Sequence, residues 1–305
     1  MISVIFPVYN EQANLPELYK RLDETVAKID KQEFEFIFVD DCSTDDSPAI
    51  LKRLRESDAR VRIVRFARNC GSHAAIAYGL NCCRGDAAIV LAADLQDPPS
   101  LIWGLIDEWN LGFQLVWGLR SKREGERFLT LLCSKMYYAL MNWLTNVKMA
   151  PLGSDVFLAD RAVIEAFKRV TEKHTSVFMA LAWLGFKQTK IEYTKDKRFA
   201  GQSKWRFGQK LKLTVDSLLA FSDVPIRYMS LFGVLTALLG FGYAGYVFWS
   251  YIHGSPVEGW SSLIVAILIL GGVQMMMLGV LGEYVWRTYD ESRCRPRHIV
   301  EYEIG

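Results

Sequence analysis

Three short segments concentrate carboxylate and amide side chains: Pro7-Val8-Tyr9-Asn10-Glu11, Asp40-Asp41-Cys42-Ser43-Thr44-Asp45-Asp46 and Asp94-Leu95-Gln96-Asp97-Pro98-Pro99. Such groups accept hydrogen bonds from N–H and O–H donors. Asp155 follows Gly153-Ser154, and Arg120 ends an apolar run. Further on, Arg198, Gly201, Ser203 and Lys204 share one loop, where glycine permits close backbone approach and the cations make charge-assisted bonds. Asp, Asn, Ser and Pro are also ordinary turn and cap residues, so a single loop of this kind decides nothing. What matters is whether the fold gathers these loops on one edge.

The surrounding pattern says that it does. Strands are predicted at Ser3–Phe6, Phe34–Val39, Val61–Phe66, Ala87–Leu91 and Gln114–Trp117. Leu15, Leu18, Leu22, Val26 and Ile29 recur at three- and four-residue steps, which marks a helix between the first two. Ser47-Pro48 opens another, with Ser47 as N-cap and Pro48 in the first turn. Alternating strands and helices predict an α/β fold with a mostly parallel sheet. Ligands bind such sheets at the carboxyl ends of the strands. The three acidic segments follow the first, second and fourth strands, and so share one rim.

Average properties hide a second region. Of 305 residues 23% are charged, the formal net charge is +2 and the mean hydropathy is +0.10, which together look soluble. Yet 228–252 and 259–282 contain no Asp, Glu, Lys, Arg or His. About 20 apolar residues in a helix cross a bilayer core. A helical hairpin turning at 253–258 is therefore predicted, with spans of about 228–252 and 259–283. Arg227 precedes it and Arg287, Arg293, Arg295 and Arg297 follow, while the turn has no Lys or Arg. The positive-inside rule places both ends in the cytoplasm. Gly240-Phe241-Gly242-Tyr243-Ala244-Gly245 has the letters of a dinucleotide fingerprint. Inside a span it lacks the required strand, and small residues for close helix packing explain it better.

The near-neutral charge gives no reason to expect nucleic acid as a partner. Six cysteines form no C-x-x-C pair and have no histidine cluster beside them, which argues against zinc. The apolar N-terminus lacks a basic leader and reads as a first strand; with unpaired cysteines this predicts a cytoplasmic main domain. Two amphipathic stripes, Leu211-Val215-Leu218-Leu219 and Phe128-Leu132-Met136-Leu140-Trp143, suit a membrane interface, although packing against the protein core is the commoner role of such a stripe. The organisation expected is a catalytic domain over 1–200, a juxtamembrane segment over 201–227, the hairpin over 228–284 and a tail over 285–305.

These motifs, in this order and followed by two spans, resemble the family-2 glycosyltransferases of GT-A (Rossmann-like) fold. The resemblance is to bacterial polyprenyl-phosphate members, including bactoprenol glucosyltransferases, and to dolichol-phosphate mannose synthase relatives. It covers nearly the whole chain, through Gly282-Glu283-Tyr284-Val285-Trp286-Arg287. It implies transfer of a sugar from a nucleotide donor to polyprenyl (undecaprenyl) phosphate with inversion, at a bacterial inner membrane.

The resemblance also assigns residues. Pro7, Tyr9, Asn10, Glu11, Asp41 and Asp94 match nucleotide-binding positions, and Cys42 stands where relatives usually carry glycine. Asp94 and Gln96 match the metal segment for Mg2+ or Mn2+, but Ala92 replaces its first aspartate. Asp155 matches the catalytic base, with Phe157 where many relatives have arginine. Arg120, Arg198, Ser203 and Lys204 match phosphate- or acceptor-binding positions. UDP-glucose is the first choice of donor; UDP-N-acetylglucosamine, GDP-mannose and aminoarabinose donors stay open, as does a non-catalytic adaptor. The resemblance implies a homo-oligomer of unspecified number.

Overall fold

Apolar runs too short for helices become the strands of one sheet in the computed structural model. It describes residues 1–29, 32–120, 154–170, 172, 176–194, 224–253 and 259–305. Strand β1 (Ile2–Val8) is central: it pairs in parallel with β2 (Phe34–Asp40) on one side and β4 (Ala87–Val90) on the other. Every residue of β2 is buried, as is every residue of β1 except Pro7, as expected for parallel strands covered on both faces. β3 (Val61–Phe66) continues this half.

The other half adds β5 (Leu115–Arg120), β6 (Val156–Asp160) and β7 (Gln188–Tyr193), and with residues Val300–Ile304 as β8 the order is β7-β5-β6-β4-β1-β2-β3-β8. β6 runs antiparallel to both β4 and β5, while β5 and β7 are parallel. The eighth strand, β8 (Val300–Ile304), pairs antiparallel with β3. The sheet is thus mostly parallel, with β6 and β8 reversed.

Helices α1 (Leu15–Val26), α2 (Ser47–Ser57), α3 (Ser72–Cys82) and α4 (Leu101–Asn110) flank it. The predicted stripe of α1 is buried at Leu15, Leu18, Leu22 and Val26. Each fully buried leucine contributes about 2 kcal/mol of transfer free energy. Gly79 lets α3 lie close on β1, because a Cβ there would collide with Ile5. Two short helices, α5 (Arg161–Phe167) and α6 (Val177–Trp183), complete the described part of this region.

Two expectations change in detail. Asp46, not Ser47, occupies the cap of α2; Ser47 Oγ instead accepts the Glu11 N–H at 2.9 Å, tying the loop after β1 to the helix. Within the stretch expected to be a tail, residues 300–304 form a strand of the main sheet.

Packing divides the chain into Met1–Ser217 with Pro296–Gly305, and Leu218–Arg295. The second unit contains α7 (Val224–Ile252) and α8 (Trp260–Ser292), with apolar stretches Ile226–Ser250 and Ile269–Ser292 long enough to cross a membrane. Their large side chains, Leu239 and Phe241 among them, are exposed, as suits a lipid-facing surface. A Cβ on Gly233 would sit 3.0 Å from Met277 Cε, so the two helices approach closely there. Gly240, Gly242 and Gly245 face open space instead. Within the hairpin it is Gly233 that permits the close approach.

Candidate active site

The loops after β1, β2 and β4 each turn on a non-glycine residue in the left-handed region: Asn10 at φ 52°, Cys42 at 59° and Leu95 at 59°. That conformation is uncommon for side chains with a Cβ and clusters at functional sites. Cys42 therefore adopts a backbone conformation that glycine takes without steric cost.

Side chains stitch the first two loops to each other's backbone. Asn10 N–H donates to Ser43 Oγ at 2.9 Å, while Asn10 Oδ1 accepts the Thr44 N–H at 2.7 Å. Gln12 N–H reaches Asp45 at 3.2 Å, and Gln12 Oε1 accepts from Asp46 N–H at 2.9 Å. Glu11 accepts from Asn14 Nδ2 at 2.5 Å. Pro7 lies in β1 opposite Val39, and Tyr9 follows half-buried at the rim.

Asp41 is buried, and its two oxygens accept the N–H groups of Cys70 at 2.6 Å and Gly71 at 2.8 Å, just before α3. Burial raises its pKa, the two N–H groups oppose that, and neighbouring Asp40 adds to the rise. Asp40 is fully buried and paired with Arg65. Sequence reasoning missed Arg65; its only signal is a charge among the apolar residues of β3.

Because β1 pairs with β4, the Asp94 loop lies beside the exit of β1. Asp94 is buried and its Oδ1 accepts the Gln96 N–H at 3.1 Å. Reversal of β6 then brings its start, preceded by Asp155, to the same rim: Val156 pairs with Gly118, two residues before Arg120. Arg120 and Asp155 form an ion pair, with side chains 23% and 47% exposed. Arg120 is also register partner of Tyr193, whose hydroxyl donates to buried Asp97 at 2.6 Å. Burial, then the Asp97 carboxylate, pushes the Tyr193 phenol far up, against a smaller opposing effect of Arg120.

Asp97, Tyr193, Arg120 and Asp155 thus form one connected cluster. Asp97 was visible within its acidic segment but not singled out, and Tyr193 carried no sequence signal. Arg198, Ser203 and Lys204, with both amphipathic stripes, lie outside the described residues.

Comparison with known proteins bears on this rim directly. The family model for glycosyl transferase family 2 matches residues 3–167, covering β1 through α5 and thus every strand end described above except those of β7 and β8.

The chain belongs to glycosyl transferase family 2.

A second family model, the GtrB C-terminal hairpin, matches 224–287. Among family relatives, a protein named an uncharacterised glycosyltransferase of Bacillus subtilis is 40% identical over 99% of this chain and 94% of its own. The bactoprenol glucosyl transferase of Shigella phage SfV is 35% identical over 99% and 98%. The prophage-derived bactoprenol glucosyl transferase of Shigella flexneri is 34% identical over 98% and 97%. This glycosyltransferase therefore pairs a GT-A sheet with an apolar C-terminal hairpin.

Proposed function

We propose that this glycosyltransferase moves glucose from UDP-glucose onto undecaprenyl phosphate, inverting the anomeric centre and yielding a lipid-linked sugar for cell-envelope glycans. The observation that carries the reading is the Arg120–Asp155 pair at the strand ends shared with the nucleotide-type loops. Identity to bactoprenol glucosyl transferases over nearly the whole chain supports the acceptor and the sugar. The two apolar helices support a membrane site of action, with both ends of the hairpin in the cytoplasm by the positive-inside rule. Self-association into a homo-oligomer belongs to the same reading.

A phosphate monoester has a second pKa near 6 and is mostly ionised at neutral pH. Its oxygen attacks the anomeric carbon on the face opposite the leaving diphosphate, the new C–O bond forming as the old one breaks and UDP departs. Asp155 then has little proton to remove. Its carboxylate orients the acceptor and stabilises positive charge developing on the sugar, as carboxylates do near oxocarbenium-like states. Arg120 holds phosphate with charge-assisted bonds, and Tyr193 with Asp97 fixes the strand end that presents it. Pro7, Tyr9, Asn10, Glu11, Asp41 and Asp94 form the nucleotide side.

Among the described residues no group of three or more His, Cys, Asp or Glu is built to hold a metal alone. Mg2+ or Mn2+ would be held by Asp94, buried beside the exit of β1, and Gln96, since Mg2+ commonly takes one or two carboxylates and completes its shell with substrate phosphates and water. Bound there, the ion would neutralise charge on the leaving diphosphate.

The test is transfer by the purified full chain in detergent, with undecaprenyl phosphate, Mg2+ and a panel of radiolabelled nucleotide sugars. Organic-extractable label from UDP-glucose is expected, lost with EDTA and at least about 100-fold lower in Asp94→Ala. Label from another donor would correct the sugar. No lipid-linked label from any donor, with the protein folded, would overturn the catalytic reading and make Ala92 the first suspect.

A further inference from the structure

Two arginines of β3 hold β8 to the sheet, and they face different parts of the molecule. Arg62 donates to Glu303 at 2.8 Å and to Glu35 at 3.0 Å. Glu35 stands at the amino end of β2, away from the rim, where it also accepts from Ser3 Oγ at 2.5 Å and Arg84 N–H at 2.6 Å. Arg65 faces the rim. Its Nε donates to Glu301 at 2.8 Å, its Nη1 to the Asp40 carboxylate and its Nη2 to the Ser43 carbonyl at 3.1 Å.

The connection continues beyond Ser43. Asp40 Oδ1 accepts the Ser43 N–H at 3.0 Å, and Ser43 Oγ accepts the Asn10 N–H at 2.9 Å. A single path of hydrogen bonds therefore runs from Glu301 through Arg65 to the loops after β1 and β2. A guanidinium suits this because its donors lie in one rigid plane; fixing Nε aims both Nη groups. Asp40 is fully buried, so a misdirected Arg65 would leave a buried carboxylate poorly compensated.

We propose that Arg65 is a positioning residue for the donor nucleotide and that Glu301 holds it in place. This assigns the strand formed by residues 300–304, which follows α8 in the chain, to the construction of the donor site. The proposal rests on the nucleotide role of the loops after β1 and β2.

Glu301→Gln and Glu303→Gln make a matched pair in the full-length chain. Each removes one β8 charge that faces a β3 arginine, Glu303 also accepting from the Tyr78 hydroxyl at 3.3 Å, so a merely structural role for the strand predicts that nucleotide affinity falls only in step with stability in both. UDP and GDP titrations measure nucleotide affinity directly, thermal melts measure stability, and steady-state assays separate donor KM from kcat. Glu301→Gln should weaken nucleotide binding about fivefold, the scale of trading a charge-assisted hydrogen bond for a neutral one. Donor KM should rise in parallel with kcat within about twofold, and Arg65→Lys, which loses the planar fork, should lose more. Glu303→Gln should leave nucleotide affinity unchanged. Unaltered affinity in Glu301→Gln, or equal losses in both variants, would overturn the proposal alone. Failure of the wild type to bind either nucleotide would overturn the nucleotide reading and this proposal with it.

Discussion

On the β1–β2 side of the rim, most polar side chains hold backbone; on the β5–β7 side, side chains hold one another. Asn10, Asp41, Ser43 and Ser47 spend their polar atoms on N–H groups of neighbouring loops, which fixes loop shape before any ligand arrives. Arg120 and Asp155 instead pair with each other while partly open to solvent. A partly exposed ion pair gives little net stabilisation, so its members can exchange partners at small cost. A buried carboxylate bonded to two backbone N–H groups cannot. The first two loops hold a fixed shape, while the Arg120–Asp155 pair can rearrange beside the buried Tyr193–Asp97 bond.

The sharpest way to break that contrast is Asp155→Asn. Loss of the carboxylate should lower the transfer rate about 100- to 1,000-fold, the range for one electrostatic group acting on the transition state. UDP affinity and the melting temperature should barely move. A loss below about tenfold would mean that the exchangeable side does no chemistry through Asp155.

Tyr193→Phe probes how that side is supported. Removing the hydroxyl takes a donor from buried Asp97 and should cost about 1–3 kcal/mol of stability, read by thermal or denaturant unfolding. A fall in kcat with constant donor KM would place the damage at Arg120; a rise in donor KM alone would erase the division between the two sides.

Cys42 gives the smallest effect. Cys42→Gly relieves a left-handed conformation but loosens the unfolded chain, leaving stability within about 1 kcal/mol. Cys42→Val, with a branched side chain at positive φ, should destabilise by more. Similar melting temperatures for both would mean that the loop shape is not enforced at this residue.

The two sides also differ in how legible they were. Strands β1 to β4 are apolar runs separated by helical periodicity, and their exits carry the acidic segments, so the β1–β2 side follows from sequence. β8 alternates half-buried and exposed residues, β7 buries only its last residue, Tyr193, and neither has an apolar run. β6 is only five residues long, and nothing in its composition announces that it runs backwards. Without that reversal Asp155 and Arg120 have no reason to meet. Their pairing is a fact of topology, readable in sequence only through family resemblance. Arg65 was hidden for a related reason: its partners Glu301 and Asp40 lie far apart in the chain.

The antiparallel pairing of β8 with β3 also sets an order in time. Residues 300–304 leave the ribosome after both apolar helices, so the outer edge of β3 stays open until the hairpin has been made. Domains generally fold as units during synthesis, and an unpaired strand edge is a template for wrong pairing. A chain stalled before residue 300 would already carry Asp94, Arg120 and Asp155, yet its sheet would be unfinished. Completion of the sheet therefore waits on synthesis of the hairpin, and interrupted synthesis leaves the edge of β3 unpaired.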